Sequence, residues 1–439
     1  MSTPPASETD SSPTANKAGN GVRGLLSVVA LDLRPLRRWR DFRLLFIGKT
    51  VSFLGSMMTY VALPYQTYQL SHSTLAVGLL GLTELIPLLL FAFLGGALAD
   101  AVDRKWLVRL TELLTAVATL ALLGNALLPH PTLWALYVIS ACMAGLDALQ
   151  RPSLDAMTPR LVERDELTAT TALTSVSYGL GMVVGPAVGG VLIATVGLPI
   201  AYGIDLLSFG ATLTALTLMR AVPPPPDAER PSLRRIGEGI RYARSRPELI
   251  GTYVVDMAAM FFGMPTALFP ALAAHFGGAG ALGWLYAAPA AGSLVAGVTS
   301  GWCGHVHRHG RAIIVAAMVW GAAIACFGLA DWLPLALLFL AIAGAGDEIS
   351  GIFRGTVWNQ TIPDALRGRL AGIELLSYSS GPSLGNVESG GVASLFGVRA
   401  SVVSGGVLCM VGVAIVAAAL PAFRAYDGRA HLAPAVAES

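Results

Sequence analysis

Twelve apolar stretches, each long enough to cross a lipid bilayer as a helix, constrain this chain more than any other feature of its sequence. A helical crossing takes roughly 20 consecutive apolar residues. Only 13% of the residues are charged and 54% are hydrophobic, whereas soluble domains carry about 25% charged residues. The sequence therefore predicts an all-α membrane protein with twelve transmembrane helices. We place them at residues 42–68, 75–99, 107–128, 132–150, 169–194, 199–218, 249–274, 281–301, 312–329, 334–353, 371–395 and 400–422.

The charge balance, the cysteines and the missing motifs exclude several classes of protein. A formal net charge of +2 gives no field that would indicate a nucleic-acid partner. The four cysteines lie scattered, without the spacing of a disulfide framework or a metal site. The chain has no phosphate-binding loop, metalloprotease pair or nucleophile elbow. We expect no enzyme, no metal and no cofactor, so any work that the chain does must draw on an ion gradient.

Lys and Arg residues lie almost entirely on one side of the predicted membrane. The loops of the opposite side contain Arg399 and no other Lys or Arg; these loops are 69–74, 129–131, 195–198, 275–280, 330–333 and 396–399. Because loops rich in Lys and Arg stay in the cytoplasm, we expect both termini inside the cell. The protein would be a multi-pass protein of the inner or plasma membrane, surrounded by lipid and acting as a monomer.

A charged central loop divides the chain into two halves. Its proline run, Pro223–Pro226, indicates a stiff linker, and the apolar residues that follow share one helical face. That face fits an amphipathic helix on the inner leaflet or a linker without a lipid role. The predicted domains are a disordered or interfacial tail (1–41), a first six-helix bundle (42–219), the cytoplasmic loop (220–248), a second six-helix bundle (249–424) and a cytoplasmic tail (425–439).

The two halves repeat each other. Arg151–Pro159 parallels Arg354–Pro363, and Gly185–Gly190 parallels Gly385–Gly391, with a nearly constant offset along the chain. Parallel repeats of this kind place a substrate site between two bundles near the membrane midplane. We therefore expect two pseudo-symmetric six-helix bundles.

Two runs carry most of the functional signal. Gly96–Lys105 is a short charged turn between two apolar stretches, and Gly181–Gly190 lies inside one, where glycines let helices approach closely. Both runs resemble signature motifs of the major facilitator superfamily, and the second resembles the fifth-helix motif of its proton-coupled exporters. Three further segments are similar to the enterobactin-exporter-like branch of the drug:proton antiporters: 52–59, 202–209 and 256–265.

The resemblance implies the major facilitator fold and efflux of a small molecule (a siderophore, another natural product or a drug) in exchange for protons, by alternating access. It also assigns roles to two sets of residues. A cytoplasmic latch would consist of Gly96, Asp100, Arg104, Asp147 and Arg151. The antiporter motif would consist of Gly181, Gly185, Pro186, Gly189 and Gly190. Asp103 departs from the family's usual glycine, which puts the geometry of that turn in question.

Ionisable residues inside a membrane are costly, so each is a candidate for function. Glu84 and Asp256 are acids that lie alone, well inside apolar spans, and either is a candidate carrier of the coupling proton. Lys49 lies at the same depth as Asp256 on the equivalent span, and we expect the two to pair in one state, although snorkelling to the surface also satisfies Lys49. For Asp205, packing is the favoured interpretation over transport.

Aromatic and methionine side chains are candidates for an adaptable cavity wall. They are Phe53, Met57, Tyr60, Met260 and Phe261, and for each of them packing in the core or against lipid is an equally good interpretation. The histidines at 305, 307 and 309 form an alternating cluster, for which a solvated loop is favoured over a metal site.

Two alternatives to export remain open: proton-linked uptake, and a membrane sensor or partner-binding protein that has lost transport. The presence of both signature motifs argues against loss of transport. Flux measurements in inverted vesicles would separate the three functions.

Overall fold

The computed structural model describes residues 32–220, 241–242 and 244–431. Within these ranges the side chains of residues 93, 96–101, 364–365, 367–369, 371–373 and 430–431 are not described. The described residues form helices and turns, with no β-strand among them. Most of the two predicted tails and of the central loop, including the proposed amphipathic segment, lies outside the described residues, but residues 34–38 of the first predicted tail form a short helix.

Fifteen α-helices follow one another in the described part of the chain. They are α1 (Arg34–Arg38), α2 (Arg40–Ser71), α3 (Thr74–Ala101), α4 (Arg104–Leu127), α5 (Leu133–Met157), α6 (Leu167–Thr195), α7 (Leu198–Leu218), α8 (Pro247–Phe262), α9 (Phe269–Phe276), α10 (Ala279–Val298), α11 (His309–Leu329), α12 (Leu333–Thr361), α13 (Asp364–Phe396), α14 (Val398–Ala419) and α15 (Pro421–Ala425).

Eleven spans in the described part are long and apolar enough to cross a membrane. Helices suit lipid because they satisfy every backbone polar group internally. The helix at the eleventh predicted span, α13, is 33 residues long but is not among these eleven, and it carries Glu374, Asn386 and Glu388. The fold therefore contains a long helix at each of the twelve predicted positions except the seventh, where the chain breaks.

The seventh predicted span is not one helix. We predicted an uninterrupted helix over 249–274, but α8 ends at Phe262 and α9 begins at Phe269. The intervening Pro265 lacks a backbone N–H and disfavours a helical conformation at the residue before it, which explains the break. Asn386 of α13 holds the short 3₁₀ turn Thr266–Leu268 that precedes α9, because its Oδ1 accepts from Thr266 Oγ1 at 2.6 Å and from the Ala267 N–H at 3.1 Å.

A helix cap explains the geometry of the turn between α3 and α4. Asp103, the residue that departs from the family pattern, is the N-cap of α4, and its carboxylate accepts from the Trp106 N–H at 3.0 Å. Aspartate is among the preferred N-cap residues because its side chain satisfies a free backbone donor. The substitution therefore supports the start of α4.

The two halves meet most closely on one side of the molecule. We call the side where α2 begins and α14 ends the near side, and the opposite side the far side. Towards the far side, α3 packs against α13 and α6 packs against α10. Thr74 Oγ1 donates to the Gly390 carbonyl at 2.9 Å, and Gly190 lies so close to Gly283 that a Cβ at Gly190 would stand 2.6 Å from its Cα. Backbone atoms of the two halves are therefore in contact on the far side, and these contacts close it.

On the near side, polar and aromatic side chains of both halves are exposed, which we interpret as a space between the halves. Tyr178 of α6, Tyr378 of α13 and Arg151 of α5 are exposed there, and Tyr378 lies within electrostatic range of Arg151 and Tyr178 across this space. We call this space the near-side opening.

The segment after the last crossing is part of the fold. Phe423 of α15 is fully buried and fills the space left by two glycines, Gly251 of α8 and Gly310 of α11. Tyr426 then donates its hydroxyl to Gln360 Oε1 at 3.1 Å. The segment thus joins the near ends of three helices in the second half.

Candidate functional site

A first charge cluster joins three helices of the first half: Lys49 and Ser52 of α2, Glu112 of α4 and Gln150 of α5. Lys49 Nζ lies 3.3 Å from Glu112 Oε2 and donates to Gln150 Oε1 at 3.2 Å. Glu112 also accepts from Ser52 Oγ at 2.9 Å and from Gln150 Nε2 at 2.6 Å. Both carboxylate oxygens are therefore engaged, as a buried acid requires.

The two charges of this first cluster differ in exposure. The Glu112 side chain is 2% exposed, whereas that of Lys49 is 29% exposed. The acid is thus enclosed behind the lysine, and the ammonium group is the charge that the cluster presents outward.

A second charge cluster lies in the second half and consists of Asp256 of α8 with Asp347 and Arg354 of α12. Arg354 forms a salt bridge with Asp256, both being largely buried. Its other terminal nitrogen lies 3.4 Å from Asp347, whose side chain is 39% exposed. The Arg354 Nε has no hydrogen-bond partner among the residues that the structure describes. The Arg354 guanidinium therefore faces the carboxylates of Asp256 and Asp347, and Asp347 is the most exposed of these three side chains.

Asp256 is the lone acid of its predicted span, but it is not unpaired, because Arg354 of α12 pairs with it. The structure also does not bring Lys49 to Asp256: each pairs with a partner inside its own half. Neighbouring helices of one bundle offer a nearby counter-charge, which offsets the cost of burial without spanning the opening.

Glu84 lies near the middle of α3 and is half-buried. Among the described residues it has no hydrogen bond or salt bridge, but it lies within electrostatic range of Tyr60 and Tyr286. These two tyrosines, from α2 and α10, meet edge to face with ring centroids 5.2 Å apart. Glu84 therefore stands beside a contact that joins the two halves.

The predicted latch is described only in part. Gly96 and Asp100 are among the residues whose side chains are not described. Arg104 is buried and its guanidinium donates to the Ala156 carbonyl at 3.5 Å. Asp147 lies within electrostatic range of Arg151 and Lys49, without a salt bridge among the described residues. The latch stays a prediction.

The glycines of the antiporter motif receive side chains of α2. Phe53 packs on Gly181, Met57 on Gly185 and Met58 on Gly189, while Gly190 meets the second half at Gly283. Pro186 lies inside α6 and is buried. This run therefore brings α6 against α2 and, at its far end, against α10.

Four of the five cavity candidates are at least partly exposed, and the fifth, Met260, is buried. Phe53 stacks on the exposed Tyr178 with ring centroids 5.0 Å apart, and Tyr60 reaches the second half through Tyr286. Met57 packs on α6, and Phe261 lies in an apolar groove between α8 and α13. Met260 is buried against Gly381 and Gly385, so the structure contradicts its place in a cavity wall: the glycines of α13 draw it into the core.

Two other predictions concern packing. Asp205 of α7 is fully buried and accepts from Thr59 Oγ1 at 2.5 Å and from Ser56 Oγ at 3.4 Å, which agrees with a structural role. His309 is not in a solvated loop, because it is buried between Phe353 and Tyr426. No three His, Cys, Asp or Glu residues of the described ranges are grouped to hold a metal ion.

Sequence reasoning missed Glu112. It lies near the start of the third predicted span, where an acid is common at a helix end. A signal was nevertheless present, since Lys49 and Glu112 stand at similar depths from the near side and a lysine inside the membrane needs a partner.

Comparisons with known proteins agree with this architecture. A family model described as transmembrane secretion effector matches residues 31–438. The chain is 32% identical over 384 residues to the enterobactin exporter EntS of Citrobacter koseri, covering 87% of this chain and 92% of that protein. It is 30% identical over 385 residues to the enterobactin exporter EntS of Shigella boydii serotype 18, with the same two shares.

Two solved structures show the same fold. A bacterial homolog to the human lysosomal transporter Spinster, inward-facing and unoccupied, aligns with a TM-score of 0.70 at 16% identity, covering 89% of this chain and 98% of that one. The nucleoside transporter NupG aligns with a TM-score of 0.67 at 14% identity, covering 90% and 99%. At these identities the likeness concerns the fold alone.

Proposed function

Because the chain belongs to the transmembrane secretion effector family of the major facilitator superfamily, we propose that it exports a siderophore-like small molecule across the cell membrane in exchange for protons. The named activity of the enterobactin exporters, which match over most of both chains, supports this cargo. The same machinery would accept another natural product or a drug of similar shape.

One observation carries the proposal: the halves are in backbone contact on the far side, while charged and aromatic side chains of both halves are exposed on the near side. A carrier that alternates access needs such a one-sided state to load its cargo. The near side also carries most of the Lys and Arg residues, which supports its placement in the cytoplasm. A molecule would then enter from the cytoplasm in this conformation and leave when the far side opens.

We assign the coupling proton to Glu84, with Asp256 as the second candidate. Protonating Asp256 in this conformation would break its salt bridge with Arg354, whereas Glu84 has no such partner among the described residues. A charge change at Glu84 acts beside Tyr60 and Tyr286, where the halves meet. Neutralising this carboxylate removes its desolvation cost and so shifts the balance between the two conformations.

Inverted membrane vesicles test the function directly. Respiration acidifies their lumen, and enterobactin is added outside as the probe. Proton antiport moves enterobactin inward and protons outward, so a pH-sensitive dye should report lumen alkalinisation. Further acidification would indicate symport instead, and an unchanged signal with no enterobactin uptake would contradict transport of this probe class.

The proton assignment is tested in the same vesicles. Glu84→Gln should abolish the proton signal while enterobactin still binds. Glu388→Gln, which removes another acid within a membrane span, is the matched control and should keep the signal. Full proton release by both Glu84→Gln and Asp256→Asn would overturn the assignment.

A further inference from the structure

We infer that Lys49 binds an anionic group of the transported molecule, at a site in the first half where Phe53 follows Lys49 by one helical turn and stacks on Tyr178. The ligand class is an aromatic compound that carries an anionic oxygen, such as a carboxylate or a phenolate. This inference rests on the proposed function, since it places a cargo molecule in the near-side opening.

The exposed part of Lys49 faces the space between the halves. Lys49, Phe53 and Tyr60 lie on one face of α2, because residues four and eleven positions apart fall on the same side of a helix. Tyr60 contacts Tyr286 of the second half, so this face of α2 points at that half. Lys49 lies towards the near side, where the halves separate.

The ammonium group is held in place with one donor unused. A lysine ammonium has three N–H donors, and two are directed at Glu112 and Gln150. Asp147, the other acid in electrostatic range, forms no salt bridge with it, and no further acceptor from the described residues reaches it. The third N–H is therefore available to a ligand.

Glu112 anchors the lysine without competing for the ligand side. It is enclosed and already accepts from Ser52, Gln150 and Lys49. A fixed cation needs no reordering when an anion arrives, and such preorganisation favours binding. The resulting hydrogen bond between two charged groups is among the stronger kinds in proteins.

The neighbouring rings suit an aromatic body. Phe53 is one helical turn from Lys49, rests on Gly181 and stacks on Tyr178. Tyr178 is exposed, so its ring is free to stack with a ligand, an arrangement that aromatic groups favour. Thr50 and Ser177, the chain neighbours of Lys49 and Tyr178, have hydroxyl oxygens 2.7 Å apart, which places the two helices in contact at this level and favours a ligand that meets both groups.

The experiment measures equilibrium binding to the full chain in phosphatidylcholine nanodiscs, without any gradient. The probes are naphthoate and its uncharged analogue naphthamide, followed by their fluorescence anisotropy against empty nanodiscs. The native protein should prefer naphthoate by roughly ten- to hundredfold, as expected for a hydrogen bond to a charged group.

Variants assign this preference to its residues. Lys49→Met should remove the preference for naphthoate and leave naphthamide binding unchanged. Lys49→Arg, which keeps the charge, should retain most of the preference and shows that the position tolerates change. Lys105→Met is the matched control, because Lys105 donates to the Met219 carbonyl away from the cluster. Tyr178→Leu should weaken both probes by similar factors.

Three outcomes would overturn the inference: equal affinity of the native protein for both probes, a preference that survives Lys49→Met, or a preference lost equally in Lys105→Met. A headgroup phosphate is the other source of an anionic oxygen. If nanodiscs containing phosphatidylglycerol abolish naphthoate binding to the native protein, a lipid occupies the site and the assignment to cargo fails. Because no gradient is used, failure here leaves the proposed export untouched, and loss of vesicle transport alone leaves this binding result standing.

Discussion

The two charge clusters occupy related places in the two halves, yet they expose opposite charges. In the first half the acid, Glu112, is enclosed and the lysine is partly exposed. In the second half the arginine is largely buried between two acids, and Asp347 is the more exposed group. The more exposed charge is thus a cation in the first half and an anion in the second.

This difference shows that a repeated fold does not repeat its electrostatics. Helices α2 and α8 are equivalent in the two halves, but α2 contributes a lysine and α8 an aspartate. Each charge then takes its partner from a neighbouring helix of the same half, so the two clusters form independently. Mutations can therefore act on one cluster while the other stays intact.

The largest effect is expected from Arg354→Met, which leaves Asp256 buried without its cation. Breaking a buried pair from one side costs about 3–5 kcal/mol. We expect the midpoint of thermal unfolding in detergent to fall sharply, which differential scanning fluorimetry measures. The double variant Asp256→Leu with Arg354→Met should recover most of the loss, and a double variant as unstable as the single one would show that the pair is not the cause.

A smaller effect is expected from Glu112→Gln in the first half. The glutamine keeps the size of the side chain, and Lys49 can turn towards water because it is partly exposed. We expect a loss of about 1–3 kcal/mol, typical of a disturbed buried hydrogen-bond network, in chemical unfolding monitored by tryptophan fluorescence. A loss as large as that of Arg354→Met would remove the contrast between the clusters.

The smallest effect is expected from Asp347→Asn. Its carboxylate is partly exposed and lies 3.4 Å from Arg354, and pairs of this kind contribute about 0–1 kcal/mol. The unfolding midpoint should stay close to that of the native protein while Asp256 keeps its partner. A loss comparable to that of Glu112→Gln would mean that Asp347, and not Asp256 alone, holds the arginine.

Much of the fold was predictable because membrane crossings leave a local signal in length and hydropathy. The family resemblance and the all-α membrane fold are confirmed by the comparisons. The break before α9 was missed, although Gly263 and Pro265 signalled it. The partner of Lys49 was harder to predict: Lys49 and Glu112 lie on separate helices, and their similar depth from the near side is the one sequence signal that links them.

The glycine motif illustrates the same limit. Its residues predicted close helix packing, but not that Gly181 and Gly185 would receive Phe53 and Met57 while Gly190 would touch the other half. Met260 and His309 were misplaced for a related reason. Burial of a single side chain depends on the shape of distant segments, such as the glycines of α13 and the chain after α14.

That last segment has a practical consequence for anyone who tags or shortens this protein. Phe423 occupies space that Gly251 and Gly310 leave open. A chain cut at the end of α14 would therefore lose the residue that contacts both α8 and α11. A fluorescent reporter joined at such a cut would follow the folding of a damaged protein. Expression screens should therefore attach their reporter beyond Tyr426, so that Phe423 keeps its contacts with α8 and α11.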